Sequence, residues 1–272
     1  MTTPEEIREA LRIKYATTNA SNFQEKPVTF GVSLEGLEGT GKTHFGIMTA
    51  PTPVVLVNFG DRSATAFFYK MPEERQKLIT CYDISPPTSE GWDFQSAVGS
   101  LRELGEIIQA EGPLMEGGTF IFDGGSSWWS VMQQVFVEPK QKAAQGKDKL
   151  AFVYEEANGR VRGFLKYIQN LGCFLIMTHQ LKQDWASDGP IPNQFSPRRN
   201  SQVPYLMEVV VRMMKICASC SAPNCQNREH IGRKFVSRLE KLSGNPGLEG
   251  MWVEDLDFSK LYTMQTGKEY NG

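Results

Sequence analysis

The sequence predicts an α/β protein in which helices cover both faces of a mostly parallel β-sheet, in three layers. Three observations support this prediction. Apolar segments of strand length alternate with segments of helical periodicity from about residue 28 to residue 178. A glycine-rich motif, residues 36–43, lies where the first strand gives way to a helix. Two more strand-like segments follow late in the chain with a turn between them, which predicts an antiparallel hairpin at the edge of the sheet.

The predicted elements follow one another in a regular order. Apolar runs predict strands at 28–34, 53–59, 79–84, 119–123 and 173–178. Apolar residues that recur every three or four positions predict helices at 92–110, 126–137 and 151–171, with an amphipathic helix that has an early proline at 4–16. Residues 181–204 show neither pattern and are predicted to form a long irregular segment of functional importance. The strands of the late hairpin are predicted at 207–216 and 233–242.

Length and composition indicate one large domain with small appendages. The 272 residues divide into an N-terminal helix and linker (1–27), a core (28–245) with a hairpin insertion at 216–231, and a C-terminal extension (246–272). The net charge of −2 means that any contact with nucleic acid must come from a local patch. Five cysteines, an odd number, do not fit a secreted disulfide framework. The first residues are acidic and lack the apolar segment of a signal peptide, so we expect a cytoplasmic protein.

The motif at residues 36–43 has the pattern G-x-x-x-x-G-K-[ST] of a phosphate-binding loop. Its glycines let consecutive backbone N–H groups curl around an anion. Its lysine reaches the β- and γ-phosphates, and its last hydroxyl ligates magnesium. The following helix directs its N-terminus at the phosphates. The sequence therefore predicts that a nucleoside triphosphate and Mg²⁺ are bound by Gly36, Leu37, Glu38, Gly39, Thr40, Gly41, Lys42, Thr43 and His44.

Polar residues at the ends of other strands are the candidates for catalysis. Asp123 ends the fourth strand, as does the acid that holds magnesium in such NTPases, often through water. Gln180 ends the fifth strand and is either a sensor of the terminal phosphate or a simple turn residue. Hydrolysis also needs a carboxylate that orients the attacking water. Asp61, just beyond the second strand, is the first candidate for this role, and Glu38 and Glu35 are the alternatives.

These motifs resemble those of the RecA-type ATPases. The loop of that family reads G-P-E-S-S-G-K-T, and residues 36–43 share its glutamate as well as its fixed positions. The segment 175–180 is similar to the apolar strand that the family ends on Asn-Gln, with His179 in place of the asparagine. The chain is most similar to the short RecA-like ATPases of bacteriophages, which act in recombination with single-strand annealing and single-strand-binding proteins. The family has a glutamate directly after the second strand, where this chain has Gly60 and then Asp61.

The resemblance implies a DNA-dependent ATPase that acts on single-stranded DNA in phage DNA recombination or repair, as a homo-oligomer. It also implies that two stretches of the chain face the DNA. Cations for phosphates and rings for base stacking suit sequence-tolerant binding of single strands. The second stretch, 181–203, supplies Lys182, Arg198 and Arg199 with Trp185 and Phe195. The first stretch, 138–150, supplies Lys140, Lys142, Lys147 and Lys149.

Four soft metal ligands lie together between the two late strands. They are Cys217, Cys220, Cys225 and His230. A C-x₂-C turn lets two thiolates meet one ion, and two more ligands complete a tetrahedron. This spacing predicts Zn²⁺ at the tip of the hairpin, and a group of reduced thiols with an incidental histidine is the alternative.

Two other functions stay open from the sequence. A ring helicase or a packaging motor would use the same core, in closed hexamers that translocate on DNA. A nucleotide-gated adaptor would bind ATP as a switch, hydrolyse little of it and recruit partners through the late hairpin. The missing glutamate after the second strand favours the adaptor.

Overall fold

The computed structural model describes residues 28–59, 68–69, 71–84, 94–144, 153–187, 189–221 and 232–270. Its strands are β1 (Gly31–Gly36), β2 (Val54–Phe59), β3 (Ile79–Ile84), β4 (Thr119–Asp123), β5 (Phe174–Ala186), β6 (Gly189–Pro197), β7 (Val209–Cys217), β8 (Arg233–Leu242) and β9 (Trp252–Glu254). Its α-helices are α1 (Lys42–Thr49), α2 (Glu73–Gln76), α3 (Phe94–Glu111), α4 (Gly125–Phe136), α5 (Glu138–Ala144), α6 (Glu155–Gln169), α7 (Val203–Leu206) and α8 (Phe258–Thr266). The helix predicted at 4–16 lies outside the described residues.

The strands form one sheet in the order β3-β2-β4-β5-β1-β7-β8-β9, with β6 paired to β5 away from this path. The pairs from β3 to β7 are parallel. The pairs β7–β8 and β8–β9 are antiparallel, as is β5–β6. The predicted fold class, a mostly parallel sheet with helices on its faces and a late antiparallel hairpin, is confirmed. Within this order β1 lies between β5 and β7, so the loop that follows it emerges beside the ends of both strands.

Each face of the sheet is covered by amphipathic helices. On one face α1 and α8 pack their apolar side chains on strand residues such as Val32, Leu56 and Ile176. On the other face α3, α4 and α6 cover Val57, Phe122 and other strand residues of opposite parity. Because successive strand residues point to opposite faces, a strand that is buried on both sides is mostly apolar, as β2 and β4 are.

The C-terminal segment belongs to the same packed body. Phe258 of α8 stacks with Phe30 at a centroid separation of 5.9 Å and meets the edge of Phe174 at 4.9 Å. The helix begins at Asp257, whose side chain accepts a hydrogen bond from the backbone N–H of Lys260. The segment predicted as an extension therefore contributes an edge strand, β9, to the sheet and the helix α8 to the core.

The segment 181–204 differs from the irregular structure that the sequence predicted. Strand β5 continues to Ala186 and pairs with β6 in an antiparallel hairpin, with Leu181 opposite Pro197. Pro190 and Pro197 are unusual in strands, so the sequence of β6 did not predict one. They are tolerated because β6, among the described strands, pairs only with β5, so its outer side needs no N–H donors. The hairpin β5–β6 therefore projects from the sheet as an ordered structure.

Two further findings concern the stretch 138–150 and membrane-spanning helices. The described part of the stretch 138–150 is helical, as α5, and is followed by residues outside the described ranges, including Lys147 and Lys149. In the part of the chain that the structure describes, no helix is long and apolar enough to cross a bilayer.

Candidate functional site

The glycine-rich motif forms a tight loop between β1 and α1. Gly39 and Gly41 have left-handed backbone conformations, with φ of +72° and +91°, which side chains disfavour. Gly36 ends β1 under the loop, where a Cβ atom would lie 2.4 Å from Thr40 Oγ1 and 2.7 Å from the carbonyl oxygen of Met213. The three glycines are thus required by the backbone path and by its close approach to β7.

The loop opens into a cavity of about 330 Å³, the loop cavity. It is lined by Glu38, Gly39, Thr40, Gly41, Lys42, Thr43 and His44 of the loop and α1, and by Asp123, Gly124, Ser126, Ser127, Thr178 and Gln180 of the neighbouring strand ends. The Lys42 ammonium donates to the carbonyl oxygens of Gly36 and Leu37, both at 2.9 Å. The structure thus brings together the predicted residues Lys42, Thr43, Asp123 and Gln180 around one concave, loop-lined space.

Asp123 and Thr43 form the oxygen-rich centre of the loop cavity. The Thr43 hydroxyl donates to Asp123 Oδ2 at 2.8 Å, although the two residues are 80 positions apart in the chain. Asp123 is only 4% exposed. A hydroxyl and a carboxylate are the hard oxygen ligands that Mg²⁺ prefers, directly or through its waters. The residues present therefore fit a magnesium ion held beside the loop.

Thr178 orients this carboxylate and was missed from the sequence. Its hydroxyl donates to Asp123 Oδ1 at 2.5 Å and accepts from the backbone N–H of Gly124 at 3.0 Å. Both oxygens of Asp123 therefore have protein donors, which fix the plane of the carboxylate. The available signal was the position of Thr178, two residues before Gln180 at the end of a buried strand.

Ser126 links the start of α4 to the root of the β5–β6 hairpin. Its hydroxyl accepts from the backbone N–H of Gln180 at 2.9 Å and donates to the carbonyl oxygen of Arg198 at 2.5 Å. The backbone N–H of Arg198 donates to the carbonyl oxygen of Gln180 at 2.8 Å. A polar cavity of about 200 Å³ opens here, lined by Ser126, Ser127, Ser130, Val131, Gln134, Gln180 and Arg198. The predicted sensor Gln180 lines both this cavity and the loop cavity.

Glu35 lies in a buried ion cluster beneath the loop. It is 1% exposed, and its Oε1 accepts from Arg199 Nε at 2.6 Å. Arg212 Nη2 lies 3.6 Å from Glu35 Oε2. A carboxylate that is desolvated and paired in this way is unsuited to activating water, so Glu35 is removed from the alternatives for that role. The prediction that Arg199 contacts DNA is revised for the same reason, since its side chain is 15% exposed and bound to Glu35.

His179 is a neutral, buried neighbour of this cluster. It is 1% exposed and pairs in register with Glu35 across β1 and β5. Burial, and then the positive charges of Arg199 and Lys42, lower the pKa of its imidazole to about 3. Within the described residues, neither ring nitrogen has a hydrogen-bond partner. A Cβ atom on Gly125 would lie 2.6 Å from His179 Cε1, so the ring fills the space beside that glycine.

The remaining predicted residues differ in their exposure, in their contacts and in whether the structure describes them. Glu38, Lys182 and Arg198 are exposed, and Trp185 is 71% exposed on the hairpin. Lys140 forms a surface ion pair with Glu156 at 2.8 Å. Asp61, Cys225 and His230 lie outside the described residues. Of the other two predicted metal ligands, Cys217 is buried and Cys220 is exposed, and the described residues contain no group of three or more metal-ligating side chains.

Two solved structures align with this chain at low sequence identity. No protein-family model matches the chain, and no curated protein does. An ATPase from the type III secretion system of pathogenic bacteria aligns with 12% identity and a TM-score of 0.43, covering 67% of this chain and 50% of that ATPase, so this chain spans half of its length. A KaiC-like protein from the hyperthermophilic archaeon Pyrococcus horikoshii OT3 aligns with 14% identity and a TM-score of 0.38, covering 78% of each chain. Alignments with TM-scores this low assign no function to this chain.

Proposed function

We propose that this chain is a magnesium-dependent ATPase of the RecA type. The observation that supports this proposal most directly is the convergence of Thr43 and Asp123, at 2.8 Å, on the loop cavity that also contains Lys42. A glycine loop, a lysine, a hydroxyl and a strand-end acid are the parts that phosphoryl transfer needs. They come here from two separate parts of the chain, the β1–α1 connection and the end of β4, which only the fold brings together.

Each side chain has a defined task in this proposal. The backbone N–H groups of residues 38–43 and the N-terminus of α1 bind the phosphates. Lys42 leaves the carbonyl oxygens of Gly36 and Leu37 to pair with phosphate oxygens. Thr43 and Asp123 hold the magnesium ion, which when bound neutralises charge on the phosphate oxygens. Thr178 keeps the Asp123 carboxylate in place through its hydrogen bond.

The test is steady-state ATP turnover with magnesium in the parent and in Lys42→Ala. We expect a loss of 10²-fold or more in kcat, on the order of the effect of removing one preorganised charge from a transition state. Lys77→Ala is the matched control, because Lys77 is exposed on the surface and bonded to Glu73 only through a solvated ion pair. If Lys42→Ala hydrolyses ATP at the rate of the parent, the loop cavity is not the site of ATP hydrolysis.

We also propose that single-stranded DNA is the partner and that the role is in phage DNA recombination or repair. The support is the hairpin β5–β6, which carries exposed Lys182 and Trp185 and is followed directly by exposed Arg198. Cations with an exposed ring suit a strand that is bound through phosphates and stacked bases. Ser126 forms hydrogen bonds with both Gln180 and Arg198, so the proposed nucleotide site and the proposed DNA surface are connected through one side chain.

The DNA proposal is tested by binding of a labelled single strand with a non-hydrolysable ATP analogue and with ADP. We expect tighter binding with the analogue, and a salt dependence that becomes shallower by about one unit of slope in Arg198→Ala. Arg102→Ala on α3, an exposed arginine outside the hairpin, is the matched control. Equal affinity in the two nucleotide states, with an unchanged salt slope, would refute this partner.

One observation favours a second function, a nucleotide-gated adaptor that hydrolyses little ATP. Among the described residues that line the loop cavity, the acids are Glu38 and Asp123. Asp123 is engaged by Thr43 and Thr178, which leaves exposed Glu38 as the acid that can approach an attacking water. Tight binding of ATP, with turnover by the parent no faster than by Lys42→Ala, would support the adaptor.

Zinc is a separate proposal, supported by the turn that carries the first two cysteines. The backbone N–H of Ser221 donates to the carbonyl oxygen of Cys217 at 2.9 Å, and Ser221 has φ of +60°, so the chain folds back directly after Cys220. Such a turn brings two thiolates toward one ion. We expect about one zinc per chain by elemental analysis, lost in Cys220→Ser. If protein that was prepared without a chelator contains no zinc, the proposal of a zinc site is wrong.

A further inference from the structure

A second cavity, the flanking cavity, lies directly against the phosphate-binding loop. Its volume is about 450 Å³. It shares four lining residues with the loop cavity, namely Gly39, Thr40, Gly41 and His44. The rest of its wall comes from α1, from β7 and β8, and from the segment that joins β9 to α8. A ligand with its phosphates in the loop therefore has this cavity immediately beside it.

Four of the twelve residues that line the flanking cavity have large apolar side chains, and one of the four is an exposed ring. Phe45 and Leu256 are nearly buried, with exposures of 2% and 9%, and Met213 is 5% exposed. Phe235 of β8 is 40% exposed. Its ring atoms Cδ1 and Cε1 lie 3.6 and 3.8 Å from the position of a Cβ atom on Gly41. The phenyl ring is thus in contact distance of the loop and still offers surface to a flat partner.

A carboxylate lies at the polar edge of this surface. Asp255 directly follows β9, and its backbone N–H donates to the carbonyl oxygen of Phe235 at 3.3 Å. Its φ is +45°, a left-handed conformation that a short polar residue tolerates at some cost. Among the described residues, the Asp255 carboxylate has no hydrogen-bond donor of its own, whereas the nearby Asp257 carboxylate is used to cap α8. Asp255 is therefore an available acceptor beside an exposed aromatic ring.

We propose that the flanking cavity binds the base of the nucleotide, with Phe235 as its stacking surface and Asp255 as the acceptor for an amino group on its edge. This inference rests on the proposed phosphate site, with which the cavity is continuous. An aromatic face is attracted to any base, and a carboxylate acceptor beside it favours a base that presents an N–H donor, as adenine does. Asp255 and Phe235 thus determine base selectivity, whereas the loop residues bind any triphosphate.

The test separates the base from the phosphates. Calorimetric titration of the full chain with magnesium measures the dissociation constants of ADP and of inorganic tripolyphosphate, which has no base. We expect Phe235→Ala to raise the dissociation constant of ADP about tenfold, equal to about 1.4 kcal/mol. The dissociation constant of tripolyphosphate is expected to stay unchanged. Phe235→Tyr keeps the stacking surface and is expected to bind ADP like the parent. Trp252→Ala is the matched control, because Trp252 is a 53% exposed ring on the adjacent strand and lines neither cavity.

The acceptor is tested with the triphosphate of purine riboside, which lacks the amino group of adenosine. The parent is expected to bind ATP more tightly than the purine riboside triphosphate. Asp255→Gly is expected to bind the two triphosphates equally. Glycine suits the backbone here, because φ at this position is +45°. Equal ADP affinity in the parent and Phe235→Ala, with tripolyphosphate still bound, would overturn the base site alone. Absence of tripolyphosphate binding in the parent would refute the phosphate site and this inference with it.

Discussion

The buried imidazole of His179 makes the stability of the fold depend on pH. Its pKa is lowered from 6.5 to about 3 in the folded chain, first by burial and then by Arg199 and Lys42. The unfolded chain takes up this proton as the pH falls below about 6.5, and the folded chain does not. The free energy of unfolding therefore keeps the full contribution of this residue above pH 6.5 and loses it as the pH falls toward 3. Linkage gives a loss of about 2 kcal/mol at pH 5 relative to pH 8.

This loss is measured as a difference between two chains. Denaturant unfolding of the parent and of His179→Asn is followed from pH 8 to pH 5, and the gap between their free energies of unfolding is expected to change by about 2 kcal/mol in favour of the variant. The control is Ser33→Ala, which removes a buried polar atom from the adjacent strand but no titrating group. If the curves of the parent and His179→Asn run parallel, the imidazole is not buried in neutral form.

The other predictions concern the residues that build the site. Arg199→Met removes the nearest partner of the buried Glu35 carboxylate and is expected to cost about 3 kcal/mol in thermal melts, part of which Glu35→Gln restores in the double variant. An unchanged melting temperature would contradict this. Gly36→Ala is expected to lower nucleotide affinity and stability together, because a Cβ atom there would lie 2.7 Å from the carbonyl oxygen of Met213. Wild-type affinity would show that the loop adapts. Thr178→Val removes a donor to Asp123, the proposed magnesium ligand, and is expected to raise the magnesium concentration needed for half-maximal turnover, which a magnesium titration measures.

Much of the fold follows from the local sequence. The buried strands β2 and β4 are largely apolar, and β1 leads directly into the loop motif. The predicted and observed ranges of all three strands agree within a few positions. Residues 36–43 could be identified as the loop because its glycines, lysine and threonine have fixed spacing within one short segment. The hairpin β5–β6 could not be predicted in this way. Half of it is an exposed edge strand with prolines, and its strand character comes from pairing with a partner.

The side chains that complete the site depend on contacts between distant parts of the chain. Glu35 was a reasonable candidate for activating water from its position just before the loop. Only the fold shows that Arg199, 164 positions away, occupies its carboxylate. A charged residue in a loop has the same sequence signal whether it pairs internally or faces solvent, so Arg198 and Arg199 could not be distinguished without coordinates. The flanking cavity was missed for a related reason, since Phe235 and Asp255 become neighbours only through the pairing of β8 with β9.

The structure also bears on how nucleotide and DNA could influence each other. Asp123 ends β4, and Ser126 lies three residues later, in the first turn of α4. The same short segment therefore carries the acid that lines the loop cavity and the hydroxyl that bonds to both sides of the hairpin root, at Gln180 and at Arg198. A shift of Asp123 toward a bound metal ion would move Ser126 with it, since Gly124 and Gly125 connect them through a corner packed on Phe59 and His179. Any coupling between two binding sites is reciprocal in free energy. A nucleotide that tightens DNA binding at the hairpin must itself be bound more tightly, by the same factor, when DNA is present.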